Sequence, residues 1–172
     1  GREATRELDK FKALPKTYVA EIKLGAISDT YDSTGEIIIH DTHNLIPNLK
    51  QIKKIFKGFI GAQEQLPPMY SAKKIKGEKL YELARRGMEV ERKPHKIEIY
   101  KIKLLEYKYP RLKIEVGCST GTYIRTLAHD IGQALGLGAY CAELVRTKIG
   151  KYNVKDAIEP KEISPEKLKK TD

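Results

Sequence analysis

The strongest constraint on the fold is a pair of alternating segments that meet at a proline. Residues 95–107 and 111–118 both alternate apolar and polar side chains, and they flank Tyr109-Pro110. A period of two is typical of β-strands, and a short proline turn between two such segments predicts a hairpin. In the first segment the apolar phase changes between Ile99 and Ile102, which predicts a β-bulge.

Further strand-like and helix-like segments are spread along the chain. Three of them predict strands: residues 16–24, 36–40 and 139–149. Three others carry apolar side chains at helical spacing: residues 48–59, 78–86 and 122–135. Asn48 is suited to start its helix, and Gly87 to end one in a left-handed conformation. This pattern predicts an α+β fold with a mixed, mainly antiparallel sheet and flanking helices, rather than a doubly wound parallel sheet.

Positive charge is concentrated in the middle of the chain. There are 33 Lys and Arg residues against 23 Asp and Glu, a net charge of +10. Residues 50–103 alone carry 15 basic and 6 acidic side chains. Such a concentration predicts a polyanionic partner.

Two parts of this basic region have different interpretations. In residues 65–81, lysines are interleaved with tyrosines, which favours looped or single-stranded RNA over a basic loop without a ligand. Pro67-Pro68 excludes regular helix and central strand from residues 61–71. The lysines of the preceding helix lie mostly opposite its apolar side chains, which favours a solvated face over nucleic-acid contact: residues 50, 53, 54 and 57.

Several classes of protein are excluded by what the sequence lacks. No apolar run approaches the roughly 20 residues of a membrane-spanning helix, and no signal-peptide pattern is present. The two cysteines, Cys118 and Cys141, have no paired spacing for a disulfide scaffold or a four-thiolate zinc site. His40 and His43 lack a third metal ligand, so no metal site is predicted. Phosphate-binding, dinucleotide and hydrolase motifs are also absent. Free thiols are typical of a reducing cytoplasm.

Residues 118–125 predict a strand that enters a helix through a small turn at Gly121. Arg125 lies in the first turn, where the helix dipole disfavours a cation. Either a carboxylate or phosphate from elsewhere binds it, or it is an ordinary surface arginine. The pattern alone leaves these alternatives open, and it assigns no role to His129.

Eleven short stretches share their order and spacing with one known family. They are residues 1–5, 16–18, 24–25, 28–35, 59–61, 65–73, 77–81, 84–87, 118–127, 130–132 and 144–150. The most specific are Gln-Leu-Pro-Pro-Met-Tyr-Ser-Ala-Lys at 65–73 and Cys-Ser-Thr-Gly-Thr-Tyr-Ile-Arg at 118–125. Over residues 1–157 the chain therefore resembles the TruB-type tRNA pseudouridine-55 synthases of bacteria.

The resemblance implies an isomerase that uses neither a metal nor an organic cofactor. The family detaches the uracil of one T-loop uridine, turns it and rejoins it to the sugar through carbon 5. The base must first be flipped out of its stack. The implied partner is the T-stem-loop of tRNA, and we expect a cytoplasmic protein that is monomeric when complete and has no contact with membranes.

The resemblance also assigns roles to individual residues. Tyr18 would stack on the flipped base and help to remove the proton from carbon 5. Arg125 would pair with the catalytic aspartate and hold its carboxylate charged and aimed. Four residues would line or support the pocket: Lys16, Asp32, Tyr123 and Leu144.

Residues 66–95 resemble the thumb of the family, an insertion that folds onto the T-stem-loop. Seven of its side chains are the expected RNA contacts: Tyr70, Lys73, Lys74, Lys76, Lys79, Arg85 and Arg86. Residues 1–157 would form the catalytic domain, and residues 158–172 a charged tail or the start of a further C-terminal region.

One feature of the family has no counterpart in this sequence. The catalytic aspartate belongs to a Gly-x-Leu-Asp-Pro segment upstream of the stretch at residues 1–5, and Leu8-Asp9 lacks the flanking glycine and proline. We therefore expect a catalytic domain incomplete at its N-terminus, which needs a preceding segment or companion chain and is inactive alone. Two alternatives stay open: a non-catalytic module that binds tRNA or other RNA, and a structural role in which an exposed sheet edge recruits a partner.

Overall fold

One six-stranded sheet organises the protein. The computed structural model describes residues 2–40, 45–75 and 77–164. In spatial order the strands are β10 (Tyr152–Asn153), β9 (Ala139–Ile149), β1 (Lys16–Leu24), β8 (Arg111–Cys118), β7 (His95–Lys108) and β4 (Gly61–Gln65). Every neighbouring pair is antiparallel. The predicted α+β fold with a mainly antiparallel sheet is confirmed.

The hairpin predicted around Tyr109-Pro110 is formed by β7 and β8. The strands pair up to Lys108 and Arg111, which face each other beside the turn. The register shifts between Ile99 and Lys101, which confirms the bulge expected from the change of apolar phase.

The core contains the alternate side chains of the central strands. Those with no exposed surface are Ala20 and Ile22 in β1 and Leu112, Ile114, Val116 and Cys118 in β8. Two helices, α2 (Leu49–Phe59) and α4 (Ile124–Ala134), add side chains to the same cluster: Ile52, Phe56, Leu127 and Ile131. Burying each large aliphatic side chain contributes about 1.5–3 kcal/mol. The core therefore fixes both helices relative to the sheet.

Local sequence sets where the helices begin and end. Asn48 caps α2 by accepting a hydrogen bond from the Gln51 N–H, and the Gln51 side chain accepts one from the Asn48 N–H. The short helix α3 (Leu80–Arg85) ends before Gly87, whose φ of 71° is left-handed. A further helix, α1 (Arg2–Ala13), was not predicted. No helix within the described ranges is long and apolar enough to cross a bilayer.

Two small sheets and two helical turns complete the described structure. The small sheets are β2 (Ala26–Ser28) with β3 (Ile37–Ile39), and β5 (Lys74–Ile75) with β6 (Glu78–Lys79). The turns are 3-10 helices at Val154–Asp156 and Pro160–Glu162. The strand expected at residues 36–40 is therefore formed by only three residues.

Residues 61–71 form a strand up to Gln65 and have no regular secondary structure after it. The strand β4 lies at the edge of the main sheet beside β7 and stops before Pro67-Pro68. No central strand is formed there, as the prolines require, although the edge strand itself was not predicted. The end of β4 brings Gln65 to the start of α4.

Candidate active site

Arg125 in the first turn of α4 is held by three oxygen atoms. Its Nη1 donates to Asp32 Oδ2 at 2.6 Å and to the Thr30 carbonyl at 3.3 Å. Its Nη2 donates to the Tyr70 carbonyl at 2.7 Å. Only 23% of the Arg125 side chain is exposed. The structure therefore decides the alternative left open by the sequence, because the arginine has a carboxylate partner from elsewhere in the chain.

Asp32 is itself fixed by hydrogen bonds to its other carboxylate oxygen. Oδ1 accepts from the Thr30 hydroxyl at 2.8 Å, from the Thr34 N–H at 2.9 Å and from the Thr34 hydroxyl at 2.6 Å. Partial burial raises the pKa of Asp32, but the hydrogen bonds from Thr34, Thr30 and Arg125 outweigh it and leave the pKa below its usual value. The carboxylate is thus charged at neutral pH.

Tyr18 occupies a half-buried position near the start of β1. It lies opposite Val116 in β8 and Arg146 in β9. Burial raises the pKa of the Tyr18 hydroxyl, and the nearby thiol of Cys118 adds to the effect, while a hydrogen bond with Arg146 opposes it. The phenol is therefore neutral at pH 7.

Leu144 lies on the same side of the sheet as Tyr18. It faces Ala20 across the β1–β9 pair, two residues along β1 from Tyr18, and no register shift separates the two positions. Residues opposite each other, and those two apart on a strand, share one face. Leu144 remains 42% exposed. An apolar side chain is thus open beside the tyrosine.

Lys16 at the start of β1 supports the end of α1. Its Nζ donates to the carbonyls of Leu14, at 2.7 Å, and of Phe11 and Lys12. Burial lowers the pKa of Lys16, with a smaller effect from Arg146. Lys16 therefore fixes the start of β1, the strand that also carries Tyr18.

Tyr123 precedes the first residue of α4 and is held at its main chain. The Gln65 side chain accepts from the Tyr123 N–H at 2.7 Å and donates to its carbonyl at 3.0 Å. The Tyr123 ring meets His95 edge-on, with 5.9 Å between ring centroids. His95 Nε2 also lies 2.9 Å from the Gly121 carbonyl. The turn before α4 is therefore fastened to the ends of β4 and β7.

Part of the thumb segment gathers positive charge around Tyr81. Lys79 Nζ lies 5.3 Å and Arg85 Cζ lies 5.4 Å from the centroid of the Tyr81 ring. Cations within about 6 Å of an aromatic ring are attracted to its face. Arg86 forms an ion pair with Glu78 instead. Of these cations, Lys79 and Arg85 flank an aromatic ring that is not among the seven expected RNA contacts.

The other expected RNA contacts differ in exposure, and one of them lies outside the described residues. Lys74 is exposed, whereas Lys73 and Tyr70 are partly buried. Lys76 lies outside the residues that the structure describes. Within the described part of the chain, no group of three or more His, Cys, Asp or Glu side chains is placed to hold a metal ion.

Comparison with protein-family models agrees with this arrangement. Residues 2–124 match the TruB family pseudouridylate synthase N-terminal domain. Residues 125–171 match the tRNA pseudouridylate synthase B C-terminal domain. The chain belongs to the TruB family. The boundary between the two matches falls inside α4, immediately before Arg125.

Curated relatives within the TruB family share much of their sequence with this chain. The tRNA pseudouridine synthase B of Protochlamydia amoebophila is 47% identical over 163 residues, which is 95% of this chain and 61% of the relative. The protein of the same name from Syntrophomonas wolfei is 48% identical over 147 residues, 83% of this chain and 48% of the relative. The chain thus spans about half to three fifths of the length of these relatives.

Solved structures of more distant proteins share the fold. A Cbf5-Nop10-Gar1 complex contains a chain that is 30% identical, with a TM-score of 0.64, covering 91% of this chain and 37% of that one. An H/ACA RNP bound to a substrate RNA containing 2'-deoxyuridine gives 26% identity and a TM-score of 0.60 over 91% of this chain and 35% of the other. The family fold is therefore present over nearly all of the chain.

Three residues that hold the site from outside were not predicted from the sequence. Thr30 and Thr34 orient Asp32, and Gln65 holds Tyr123. Their partners are backbone groups or short polar side chains, which leave no periodic or charge signal. The structure joins Arg125, Asp32 and Tyr70 directly, and it places Tyr18 and Leu144 together on the sheet.

Proposed function

We propose that this chain is the larger part of the catalytic domain of a tRNA pseudouridine synthase that isomerises uridine 55 in the T-loop. The observation that carries the proposal is the state of Arg125. Three of the five guanidinium N–H groups bind oxygen atoms of the described residues. Two N–H groups thus have no acceptor among the described residues, and two is the number that a bidentate bond to a second carboxylate uses.

The second carboxylate, we propose, is the catalytic aspartate, supplied from outside these 172 residues. Asp32 is instead held as a fixed partner of Arg125, with three hydrogen bonds to Oδ1 and one from the arginine to Oδ2. Its charge instead fixes Arg125, which would then aim the incoming aspartate. Membership of the TruB family supports this assignment, since the family places its aspartate beside this arginine.

The reaction breaks the bond between N1 of uracil and the sugar and forms one between carbon 5 and the same sugar carbon. The proton on carbon 5 moves to solvent, and N1 gains one, so that the product is an isomer. Tyr18 would stack on the flipped base, with Leu144 and Tyr123 lining the pocket. Extraction from the stack costs a few kcal/mol, which protein contacts must offset.

The thumb, residues 66–95, would bind the phosphates of the T-stem-loop. Lys74 is exposed for such contact, and the cluster of Lys79, Arg85 and Tyr81 offers both charge and a stacking surface. The protein would act as a monomer in the cytoplasm, where tRNA is found. Residues 1–157 would form the catalytic domain around this thumb.

The proposal is tested by tritium release from tRNA labelled at carbon 5 of its uridines. We expect no release from the 172-residue chain alone. Adding a peptide or chain that carries the Gly-x-Leu-Asp-Pro segment should restore release. The same segment with Asp replaced by Asn is the matched control. Release by the chain alone would overturn the proposal that the catalytic aspartate comes from outside it. Tight RNA binding without release from any combination would favour the non-catalytic module.

A further inference from the structure

We propose that Gln65 is a positioning residue, which fixes the start of α4 and thereby couples the placement of Arg125 to the base of the thumb. This inference rests on the proposed function, because it gives Gln65 a part in the uridine isomerisation. It concerns a side chain that would touch neither the base nor the catalytic aspartate.

The contact between Gln65 and Tyr123 uses both the oxygen and the nitrogen of the amide group. The Gln65 Oε1 accepts from the Tyr123 N–H at 2.7 Å, and its Nε2 donates to the Tyr123 carbonyl at 3.0 Å. Gln65 is only 4% exposed. Two bonds to the N–H and C=O of one residue imitate the reciprocal pairing of opposite residues in an antiparallel sheet. The amide therefore fixes both the distance and the orientation of this peptide segment.

The helix start has no comparable support of its own. Tyr123 is the residue before α4, and its side chain makes no capping hydrogen bond. The Tyr123 carbonyl also accepts the helical bond from the Leu127 N–H at 3.1 Å. Gln65 thus supplies from another strand the anchoring that a capping side chain normally provides.

Two more contacts tie the thumb to the same short segment. At the C-terminal end of the thumb, His95 Nε2 lies 2.9 Å from the Gly121 carbonyl. Inside the thumb, the Tyr70 carbonyl accepts from Arg125 Nη2 at 2.7 Å. Residues before, within and at the end of the thumb therefore all bind residues 121–125.

The position of Arg125 depends on this anchoring because it follows Tyr123 by only two residues. Catalytic groups must be held within about 0.5 Å of their productive geometry, and a misplacement of 1 Å can cost about 100-fold in rate. Loss of the Gln65 amide would free the helix start and leave the Tyr123 N–H without this acceptor. RNA bound by the thumb would then no longer meet an aligned arginine.

The test compares Gln65→Ala and Gln65→Glu with Gln63→Ala. Gln63 lies on the same strand, but its amide donates to the Phe59 carbonyl at 2.6 Å and serves as the matched control. Single-turnover tritium release is measured with the Gly-x-Leu-Asp-Pro segment supplied, alongside the Kd for a T-stem-loop RNA and amide exchange of Tyr123. Gln65→Glu keeps the acceptor and loses the donor.

We expect Gln65→Ala to slow release by about 10–100-fold, with the Kd changed less than about threefold and Tyr123 exchange accelerated. Gln65→Glu should fall between Gln65→Ala and the unchanged protein, and Gln63→Ala should match the unchanged protein. If Gln65→Ala does not fold, the Gln65→Glu rate decides. Normal release in the Gln65 variants would overturn the inference alone. Loss of RNA affinity in parallel with rate would also overturn it, whereas no release from the unchanged complemented protein would overturn the proposed function with it.

Discussion

Arg125 and Asp32 form an ion pair with 2.6 Å between Nη1 and Oδ2, although 93 residues separate them in sequence. Their side chains are 23% and 21% exposed, respectively. The pair joins the start of α4 to the loop that follows β2, and the Tyr70 carbonyl adds the thumb to the same guanidinium. This arrangement fixes the arginine before any external carboxylate arrives.

Arg125→Lys should abolish most of the turnover in the complemented protein. Lysine keeps the charge but loses the planar guanidinium. It therefore cannot bind Asp32 and the Tyr70 carbonyl and still present two N–H groups to a second carboxylate. We expect a loss of at least about 100-fold in tritium release, the size that misplacement of a catalytic group can cause. Arg111→Lys, at a side chain that is 71% exposed, is the matched control and should be neutral. Near-normal turnover in Arg125→Lys would remove Arg125 from the reaction.

Asp32→Asn should destabilise the protein in a pH-dependent way. The folded pKa of Asp32 lies below its usual 3.8. The ionised form therefore stabilises the fold above pH 4, and this contribution is lost as the pH falls through the folded pKa. Breaking a buried ion pair costs about 3–5 kcal/mol, and we expect about 2 kcal/mol for this partly exposed pair. Urea unfolding at pH 7 and pH 3 measures the difference, and an equal deficit at both values would contradict the assignment.

Asp130→Asn should have the opposite effect. Burial raises the pKa of Asp130 from 3.8 to about 6. The charged form is thus disfavoured in the folded protein, and stability is lost as the pH rises from about 4 through 6. The shift corresponds to about 3 kcal/mol at most, and partial exposure reduces the expected gain of the variant to about 1 kcal/mol at pH 7. Thermal unfolding should show no gain in the free energy of unfolding at pH 4. A gain that is independent of pH would contradict the claim that burial of the charged carboxylate destabilises the protein.

Replacing four thumb lysines by alanine should flatten the salt dependence of tRNA binding. The residues are Lys73, Lys74, Lys76 and Lys79. If about three of them neutralise phosphates, the slope of log K against log salt loses roughly 2–3 units. Four alanines in α2 are the matched control, because those lysines form a solvated helix face: Lys50, Lys53, Lys54 and Lys57. The same loss of slope in both variants would contradict this prediction, because it would mean that RNA contacts the basic surface as a whole and not the thumb in particular.

The features predicted best from sequence depend on neighbouring residues. The β7–β8 hairpin and its bulge at Ile99 follow from an alternation that each strand carries by itself. The predicted cap at Asn48 likewise depends on a residue within one turn of the helix, since its side chain accepts from the Gln51 N–H. Such local patterns predict the structure correctly because the apolar face that they define is the face buried in the core.

The features that escaped prediction depend on distant partners. The helix α1 has few large apolar side chains, and the ammonium of Lys16 caps its end from the next strand. Gln65 is buried by its contact with Tyr123, 58 residues away, and no property of a glutamine in sequence reveals that contact. Within the described residues the carboxylate that pairs with Arg125 is Asp32, and the resemblance had placed Asp32 only beside the pocket.

The central claim is most directly tested with a T-stem-loop RNA that carries tritium only at carbon 5 of uridine 55. The chain together with the Gly-x-Leu-Asp-Pro segment should release one tritium per RNA. The chain alone, or with the Asp→Asn segment, should release none. Release by the chain alone, or no release from a combination that binds the RNA, would contradict the account.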